Sequence, residues 1–373
     1  MSFKQGPLIH LSKYYPPEWG GIERVVYEMV VGASKDPHFT SHSQIVLAFT
    51  EKKEFKIEEL ENQVTVIRCP VLKMLASQPV SPSYLKNLKK LIKEHPNAIL
   101  LFHLPNPLAT AALFFLTRKF QGRVIVVYHA DISKQKRLGA FYRPLLKRFL
   151  SRASEIWVSS PILSEKSLVL EPFLKKVKLL PFGIHSEFNE KTLLPGGSLK
   201  LLFVGRLVSY KGVPVLLRAL KEVHPTITLT VAGEGPEEEA LRTLTKELDL
   251  ESRVEWKGRV SEEEKKQLLM ESHLACLPSL TEAEAYGMIQ IEAFQASRPV
   301  LSSHLKTGVS WINQDKKTGR LFEVGNHLEL AALINELNEN RALLLQYSNA
   351  AYVRGQELSS EKMTETMADY LGL

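Results

Sequence analysis

Strand-like and helix-like segments alternate along the whole chain, and this alternation constrains the fold more than any other feature. The strand candidates are short runs rich in β-branched residues. They are "PLIHLS", "HSQIVLAF", "VTVIRCP", "AILLFH", "VIVVYH" and "EIWVSS" in the first half, and "LKLLFVG", "ITLTVAG", "RVEWKG", "LACLPS" and "RPVLSS" in the second. Amphipathic helical patterns such as "GVPVLLRALKEV" fill the intervals. The repeat predicts an α/β fold in which helices cover both faces of parallel sheets.

The chain has 373 residues, which is long enough for two domains of this kind. The segment "NEKTLLPGGSLK" (189–200) contains the Pro-Gly-Gly-Ser run typical of a linker. We therefore predict two Rossmann-like domains, over residues 1–188 and 197–355. Ligands of parallel sheets bind beyond the carboxyl ends of the strands, so two such domains facing each other are expected to form an interdomain cleft.

Composition excludes several classes of protein. Apolar residues make up 44% of the chain and charged residues 24%, as in ordinary soluble enzymes. Cys69 and Cys276 form neither a disulfide framework nor a zinc pattern, which suits a reducing cytosol. The N-terminal residues lack the apolar core of a signal peptide, and prolines interrupt the longest apolar run (98–116). We therefore expect a cytoplasmic protein without a membrane span.

The net charge of +7 is unevenly distributed. Residues 1–185 hold 27 Lys and Arg against 14 Asp and Glu, a balance of +13, and the remainder has a balance of −6. The asymmetry favours an anionic partner for the first half only. A nucleic-acid-binding protein is an alternative at this basic pI, but the acidic second half argues against it, and we expect no nucleic-acid partner.

Two cations follow a strand in the second half. In "LLFVGRLVSYKG", Arg206 and Lys211 lie between the strand and a helix that begins near Val213. Cations gain nothing at the positive end of a helix, so the pair favours a polyanion site over a solvated surface. Gly233 and Gly235, in "VAGEGP" after the next strand, indicate either a turn or part of the same site.

The segment "TEAEAYGMIQIEAF" (281–294) combines carboxylates with residues that favour burial. We predict a helix from about Tyr286, with Glu284 just before it and Glu292 about two turns inside. Eight helical residues span roughly 12 Å, about the distance from the sugar to the ribose of a nucleotide sugar. The N–H groups at the helix start would face the diphosphate. The alternative is an acidic cap region followed by one satisfied core glutamate.

These motifs resemble the family-four glycosyltransferases of the GT-B fold. The resemblance rests on "GRLVSYKG", "VAGEGP", "PSLTEAEAYGMIQIEAF" and "TGVSW" in the second half, and on "YYPPEWGGIERVV", "HLPNPLA", "YHADISKQ" and "LPFGIHSEF" in the first. In detail the chain is similar to mannosyltransferases of bacterial O-antigen and surface-polysaccharide assembly. The C-terminal helix, about 356–373, is expected to pack back on the first domain. One departure is "EAFQASRPV", in which Ser297 and Arg298 replace the usual Gly-Lys.

The resemblance implies a role for each matching residue. Arg206 and Lys211 would hold the diphosphate, Glu284 the hydroxyl groups of the donor sugar, and Glu292 the ribose. His129 would face the sugar, although a core histidine capping a strand is the alternative. His103 and Asp131 are acceptor-side candidates. The remaining donor-binding positions supply backbone groups or line the base and diphosphate: Gly20, Gly21, Gly233, Gly235, Val260, Ala285, Tyr286, Gly287 and Met288.

The resemblance also implies the reaction. A retaining hexosyltransferase would move mannose from GDP-mannose to a glycan or lipid-linked acceptor. Alternatives are a UDP-sugar-dependent transferase (glucose, galactose or N-acetylhexosamine) and a GT-B sugar-nucleotide epimerase. A phosphorylase would need a pyridoxal-binding lysine, which we do not find. No DxD motif follows a strand, so we expect no metal and no cofactor beyond the GDP- or UDP-linked co-substrate.

Two basic amphipathic segments lie in the first half, at 137–153 and around Lys86, Lys89, Lys90 and Lys93. Their apolar stripes predict core-facing helices. The cations on the other face are either a solvated surface or a surface for anionic lipid. We expect peripheral association with the inner face of the cell membrane.

Overall fold

The structure, a computed structural model, describes residues 6–75, 78–116, 120–131, 136–188 and 190–373, without the side chains of Leu108 and of residues 136–141. The chain divides into two compact units. Unit 1 comprises residues 6–185 with Ser360–Leu373, and unit 2 comprises Ser186–Ser359.

These limits differ from the predicted ones. The segment proposed as a linker lies inside unit 2, because Leu199 is buried in the core of that unit and Leu194 packs against it. The last helix begins at Ser360 rather than near 356, since the preceding helix continues to Glu357.

Unit 1 contains an eight-stranded sheet whose strand order is β10-β9-β8-β7-β1-β2-β4-β3. All neighbouring strands are parallel except β3 and β4. The strands are β1 (Leu8–Leu11), β2 (Gln44–Thr50), β3 (Lys56–Leu60), β4 (Val64–Pro70), β7 (Ile99–Leu104), β8 (Arg123–Tyr128), β9 (Glu155–Val158) and β10 (Val177–Leu179). A separate antiparallel hairpin is formed by β5 (Lys73–Leu75) and β6 (Gln78–Val80).

The helices of unit 1 pack on this sheet through apolar stripes. They are α1 (Gly21–Lys35), α2 (Pro82–Glu94), α3 (Pro107–Leu116), α4 (Lys136–Arg152), α5 (Pro161–Lys166) and the C-terminal helix α13 (Ser360–Leu371). Helix α13 packs against α1, where Gly32 lies so close to Thr364 that an added Cβ would stand 2.3 Å from its hydroxyl oxygen. The last segment of the chain thus completes the N-terminal unit.

Unit 2 contains a six-stranded, fully parallel sheet of order β13-β12-β11-β14-β15-β16. Its strands are β11 (Lys200–Val204), β12 (Thr228–Ala232), β13 (Val254–Gly258), β14 (Leu274–Leu277), β15 (Val300–Ser303) and β16 (Gly319–Phe322). Its helices are α6 (Val213–Lys221), α7 (Glu238–Glu247), α8 (Glu262–Glu271), α9 (Ile289–Gln295), α10 (Gly308–Ile312), α11 (His327–Glu339) and α12 (Arg341–Glu357).

The strand order of unit 2 reverses between β11 and β14, and that of unit 1 reverses between β1 and β7. Loops diverge to opposite faces at such a reversal, and the crevice beyond the carboxyl ends of the strands is where ligands bind in open α/β sheets. The loops that follow β11 and β14 are therefore the first place to look for a site in unit 2.

Eleven predicted strand segments match observed strands, but five short strands were not predicted: β3, β5, β6, β10 and β16. Strand β3 is exposed along most of its length and rich in charge, so its sequence lacks an apolar pattern. No helix in the described part of the chain is both long and apolar enough to cross a membrane.

Candidate functional site

The loops after β11 and β14 contact each other closely. The N–H of Leu280 donates to the carbonyl of Tyr210 at 2.7 Å. Gly212 has a φ of +68° and starts α6, and a Cβ at this position would lie 1.9 Å from the carbonyl oxygen of Pro278. Glycine is required here by both the backbone conformation and the close approach. This contact brings the segment with Arg206 and Lys211 next to the segment with Glu284.

Lys211 and Glu284 form an ion pair in this contact. Lys211 Nζ lies 2.6 Å from Glu284 Oε2, and the two side chains are only 13% and 9% exposed. The hydroxyl of Ser279 donates to the same carboxylate oxygen at 3.0 Å. The hydroxyl of Thr307 donates to the backbone carbonyl of Glu284 at 2.9 Å. A nearly buried carboxylate therefore has a charged partner and a polar one, as its burial requires.

Arg206 lies in the same loop but makes no such contact. Its side chain is exposed, and its guanidinium has no ion-pair or hydrogen-bond partner among the described residues. The two predicted cations thus differ, because Lys211 already neutralises a carboxylate whereas Arg206 has its donors available.

The predicted helix start is wrong. Helix α9 begins at Ile289, not near Tyr286, and Glu292 lies in its first turn rather than two turns inside. Residues 284–288 form a bent loop in which Gly287 has a φ of +77°, so the rise of a continuous helix does not apply between the two glutamates. The N–H groups of Ala285, Gly287 and Met288 have no hydrogen-bond partner among the described residues. The half-buried or buried loop thus still presents free backbone donors.

Glu292 pairs with Lys265 of α8. Glu292 Oε1 lies 3.0 Å from Lys265 Nζ, and each side chain is 15% exposed. Lys265 also contacts the exposed Glu262 at 2.8 Å. Burial lowers the pKa of Lys265, but the charge of Glu292 and the contacts with Glu262 outweigh burial, so that the pKa is raised and the ammonium is retained. Glu284 and Glu292 are therefore both held by lysines from other elements.

Gly233 and Gly235 join the loop after β12 to the loop after β11. A Cβ at Gly233 would lie 2.0 Å from the carbonyl oxygen of Gly205, and one at Gly235 would lie 2.2 Å from that of Leu207. Leu207 N–H donates to the carbonyl of Glu234 at 2.9 Å. This packing between loops is sufficient reason for both glycines. Val260 lies half-buried between β13 and α8, near the same edge of the sheet.

Gly20 and Gly21 lie exposed at the start of α1 in unit 1. Apart from its chain neighbours and its own helix backbone, no described atom lies within 4 Å of a Cβ built on Gly21, and one on Gly20 meets only the end of the flexible Glu23 side chain. Packing within the described residues does not explain these two glycines, which leaves the space beside them open.

His129 and His103 belong to a buried row of histidines in unit 1. His129 Nε2 lies 3.0 Å from His103 Nδ1, and His103 Nε2 lies 3.4 Å from Nδ1 of His10. The ring of Phe182 packs 4.8 Å from the ring of His129, centroid to centroid. Burial lowers the pKa of His129 to about 3 and that of His10 to about 4. His129 follows β8, as predicted, and His103 is fully enclosed rather than open to a substrate.

Asp131 is exposed and is fixed by two hydroxyl groups. Tyr128 donates to its Oδ1 at 2.5 Å and Ser167 donates to the same oxygen at 2.7 Å. Residues 132–135 of the motif "YHADISKQ" lie outside the described residues.

The turn that follows α9 is retained although Ser297 and Arg298 replace the usual Gly-Lys. Ser297 has a φ of +59°, the left-handed conformation that favours glycine. Arg298 is fully buried and donates to the carbonyls of Leu193, Leu269 and Met270 at 2.8–2.9 Å. Arg298 therefore connects this turn by hydrogen bonds to α8 and to the first segment of unit 2.

No group of three or more His, Cys, Asp or Glu residues is arranged to hold a metal ion within the described ranges. Sequence reasoning missed several residues that contact the predicted ones, among them Lys265, Ser279 and His10, and it missed Gln44, which contacts His10. Lys265 lies in a polar segment and Ser279 follows an apolar strand, and neither sequence pattern indicates its partner. His10 and Gln44 are polar residues inside apolar strands, which is a signal that the sequence does contain.

Both units match known family models. Residues 19–187 match "Glycosyltransferase Family 4" and residues 185–354 match "Glycosyl transferases group 1". The O-antigen chain mannosyltransferase C of Escherichia coli is 30% identical over 359 residues, 94% of each chain. The D-rhamnosyltransferase WbpZ of Pseudomonas aeruginosa is 30% identical over 84% of this chain and 81% of that protein.

Solved structures agree in fold. The Anabaena protein HepE in complex with UDP superposes with a TM-score of 0.77 at 17% identity, over 98% of this chain and 99% of that one. A sucrose-phosphate synthase from Thermosynechococcus elongatus gives 0.77 at 18% identity over 98% of both. With a relative at 30% identity over nearly its full length, the chain belongs to the family-four glycosyltransferases of the GT-B fold.

Proposed function

We propose that this glycosyltransferase moves a hexose from a nucleotide donor to a glycan or lipid-linked acceptor in the synthesis of a cell-surface polysaccharide. Mannose from GDP-mannose is the preferred donor in this proposal, because the two relatives are named for mannosyl and D-rhamnosyl transfer. The bound UDP of HepE supports a nucleotide donor in general and keeps a UDP-sugar as the alternative.

The observation that carries this proposal is the contact of the β11 and β14 loops at the strand-order reversal of unit 2. It brings together a free guanidinium, a lysine–glutamate pair and unpaired backbone N–H groups. Guanidinium, ammonium and N–H donors are the groups that bind phosphate. We assign Arg206 and Lys211 to the diphosphate, Glu284 to the sugar hydroxyl groups and Glu292 to the ribose.

The proposed chemistry is stabilisation of the leaving group. As the bond from the sugar to the diphosphate breaks, negative charge develops on phosphate oxygen, and Arg206, Lys211 and the N–H groups of Ala285, Gly287 and Met288 would stabilise it. Lys211 would then be shared between the diphosphate and Glu284. The acceptor hydroxyl would attack from the leaving-group face and pass its proton to the departing phosphate, with retention of configuration and without a metal.

We also propose that unit 1 associates with an anionic membrane surface. Helix α2 buries Tyr84, Leu88 and Leu91 and exposes four lysines: Lys86, Lys89, Lys90 and Lys93. Helix α4 likewise buries Leu146, Phe149 and Leu150, while Arg143 and Arg148 are exposed. Arg152 is engaged with Phe114, both with its carbonyl and with its ring.

The segment that leads into α2, with its hairpin, exposes apolar side chains close in sequence to this helix. Leu72, Met74 and Leu75 are 72%, 52% and 56% exposed, and Phe115 on the adjacent α3 is 65% exposed. Helix α3 contacts both β6 and α2. Exposed apolar groups beside lysines are the combination that inserts into the interface of an anionic bilayer.

Vesicle co-sedimentation tests the membrane proposal. Each lysine near an anionic surface contributes about 1 kcal/mol, so Lys89→Glu with Lys93→Glu should reduce binding to vesicles with anionic lipid by at least tenfold. Met74→Ser with Leu75→Ser should reduce it as well. The matched control is Lys317→Glu, an exposed lysine of unit 2. Wild-type protein that ignores anionic vesicles at low salt would contradict the proposal.

Product analysis tests the transfer. The protein should transfer sugar from GDP-mannose, or else from one UDP-hexose, to a panel of lipid-linked saccharides, and NMR should show the anomeric configuration of the donor retained. Chelator should leave the rate unchanged. An inverted product would contradict the retaining mechanism, and loss of activity with EDTA that magnesium restores would contradict metal independence. Donor epimerised without acceptor would make the protein an epimerase instead.

A further inference from the structure

Four buried side chains form a continuous hydrogen-bonded row across the sheet of unit 1. Gln44 begins β2, His10 lies in β1, His103 lies near the end of β7 and His129 follows β8. His10 Nε2 lies 3.2 Å from Gln44 Oε1, and the two histidine contacts of 3.4 and 3.0 Å continue the row to His129. The row crosses the strand-order reversal between β1 and β7 and ends at the carboxyl edge of the sheet.

Gln44 fixes the direction of every hydrogen bond in this row. Its amide nitrogen donates to the backbone carbonyl of His42 at 3.3 Å, so its Oε1 is the acceptor towards His10. His10 Nε2 must therefore carry the proton. A neutral imidazole has one N–H, so Nδ1 of His10 is an acceptor.

The same assignment of donor and acceptor nitrogens applies to the next two histidines. Since Nδ1 of His10 accepts, His103 must donate from Nε2, which leaves Nδ1 of His103 as an acceptor. His129 must then donate from Nε2, and its Nδ1 carries only a lone pair. Burial lowers the pKa of all three histidines, which keeps the rings neutral as this pattern requires.

The outer nitrogen of His129 has no partner of its own. Nδ1 has no hydrogen-bond partner among the described residues, while Nε2 is occupied by His103 and the ring is packed against Phe182. The imidazole is thus held on one edge and on one face. What remains is a preoriented acceptor beside the carboxyl edge of the sheet.

We propose that Gln44, His10 and His103 are positioning residues that hold His129 as the Nε2–H tautomer, so that its Nδ1 accepts a hydrogen bond from a hydroxyl group of the sugar substrate. The second half of this inference rests on the proposed function, whereas the tautomer does not. A fixed acceptor favours a hydroxyl over a fluorine or hydrogen at the contacted carbon, since only the hydroxyl donates a hydrogen bond.

The tautomer is measured directly on the unliganded protein. Long-range ¹H–¹⁵N correlation spectra of protein with ¹⁵N-labelled histidine distinguish protonated from unprotonated ring nitrogens, and loss of one spin system in His129→Asn assigns the residue. We expect a protonated Nε2 and an unprotonated Nδ1 at neutral pH. A protonated Nδ1 on His129 would overturn the proposed row, whatever sugar the enzyme transfers.

Three variants and one control variant test the positioning role. Gln44→Leu removes the group that sets the direction, so the Nδ1 and Nε2 signals of His129 should shift towards a mixture of tautomers. Gln121→Leu, the same change at an exposed glutamine before β8, should leave them unchanged. His103→Leu should lower kcat/KM for the nucleotide sugar about fivefold, the value of one neutral hydrogen bond. His103→Gln keeps a donor and an acceptor and should restore most of the loss.

Different results would contradict the positioning of His129 by the row and the contact of His129 with the substrate. If Gln44→Leu leaves the tautomer of His129 fixed, Gln44 does not set the direction and the positioning role is wrong. If the tautomer shifts as expected but kcat/KM stays at the wild-type value with folded protein, His129 does not contact the substrate. Absence of any transfer by wild-type protein would count against the proposed function and would leave the tautomer result intact.

Discussion

The nearly buried carboxylate of Glu284 is stabilised by Lys211 and Ser279, which contact the same carboxylate oxygen. Removal of one member of a buried pair leaves the other charge uncompensated, whereas removal of both is often nearly neutral. The pair therefore has a structural effect that must be separated from its proposed effect on the leaving group.

A double-variant cycle makes this separation. Lys211→Met should lower the free energy of unfolding by about 3 kcal/mol, and Lys211→Met with Glu284→Gln should regain most of it. Turnover should fall about 100-fold or more in both, because neither retains the cation. Urea denaturation and initial rates measure the two effects. Equal destabilisation in the single and double variants would show that the two charges are not coupled.

Glu292 is the residue that we assign to the ribose. Glu292→Gln removes a charged acceptor worth about 1.5–3 kcal/mol, so the affinity for nucleoside diphosphate should fall roughly 10- to 100-fold by calorimetry. Lys265 keeps its contact with Glu262 in this variant. The control is Glu282→Gln, an exposed glutamate of the same segment that we do not assign to the donor. Unchanged affinity in a folded Glu292→Gln protein would remove this residue from the site.

At the scale of elements, the turn after α9 depends on Arg298. Its guanidinium satisfies carbonyls of α8 and of the segment that enters unit 2, and burial lowers its pKa to about 10. Arg298→Leu leaves those carbonyls without donors, and we expect a loss of about 2–4 kcal/mol in the free energy of unfolding. The control is Arg218→Leu, an exposed position of α6. A loss no greater than in the control would show that the buried contacts are dispensable.

The sequence predicts elements well where a strong apolar period covers their whole length. Strands such as β4, which matches its predicted bounds, are buried along nearly the whole run. The start of α9 was misplaced because Tyr286 and Met288 extend an apolar run into the loop, while the left-handed Gly287 and the contacts with Thr307 and Gly308 keep that loop out of the helix. Local pattern does not reveal such tertiary contacts.

At the scale of the whole molecule, the buried histidines couple folding to pH. In the folded protein the pKa of His10 is lowered to about 4 by burial, and burial also holds the pKa of His103 well below its ordinary value. The unfolded chain takes up protons as the pH falls below about 6.5, but the folded protein does not until lower pH. The contribution of these neutral histidines to the free energy of unfolding is therefore fully present above about pH 6.5. It is lost as the pH falls towards 4.

Denaturant titrations at several pH values test this coupling. Each buried histidine should contribute up to about 1.4 kcal/mol per pH unit between 6.5 and its folded pKa. His103→Leu should reduce the slope of unfolding free energy against pH by about that amount in the window from 6 to 4.5. A slope identical to that of the wild type would show that His103 is not held neutral by the fold.

The two-domain α/β class and the family could be predicted from the sequence, because each depends on local pattern or fixed spacing. The ion-pair partners of Glu284 and Glu292 could not. Lys265 lies 27 residues from Glu292 and Lys211 lies 73 from Glu284, and only the order of strands in the sheet brings them together. The histidine row likewise depends on the register of β1, β7 and β8.

Calorimetric binding of nucleotide sugars tests the central claim most directly. Wild-type protein titrated with GDP-mannose, GDP and the common UDP-hexoses should show saturable binding to one class of nucleotide. The variant Lys211→Met with Glu284→Gln, folded and nearly as stable, should bind the intact donor at least tenfold more weakly. Failure of the wild type to bind any nucleotide sugar, or equal donor affinity in the double variant, would contradict a donor site built on the β11 and β14 loops.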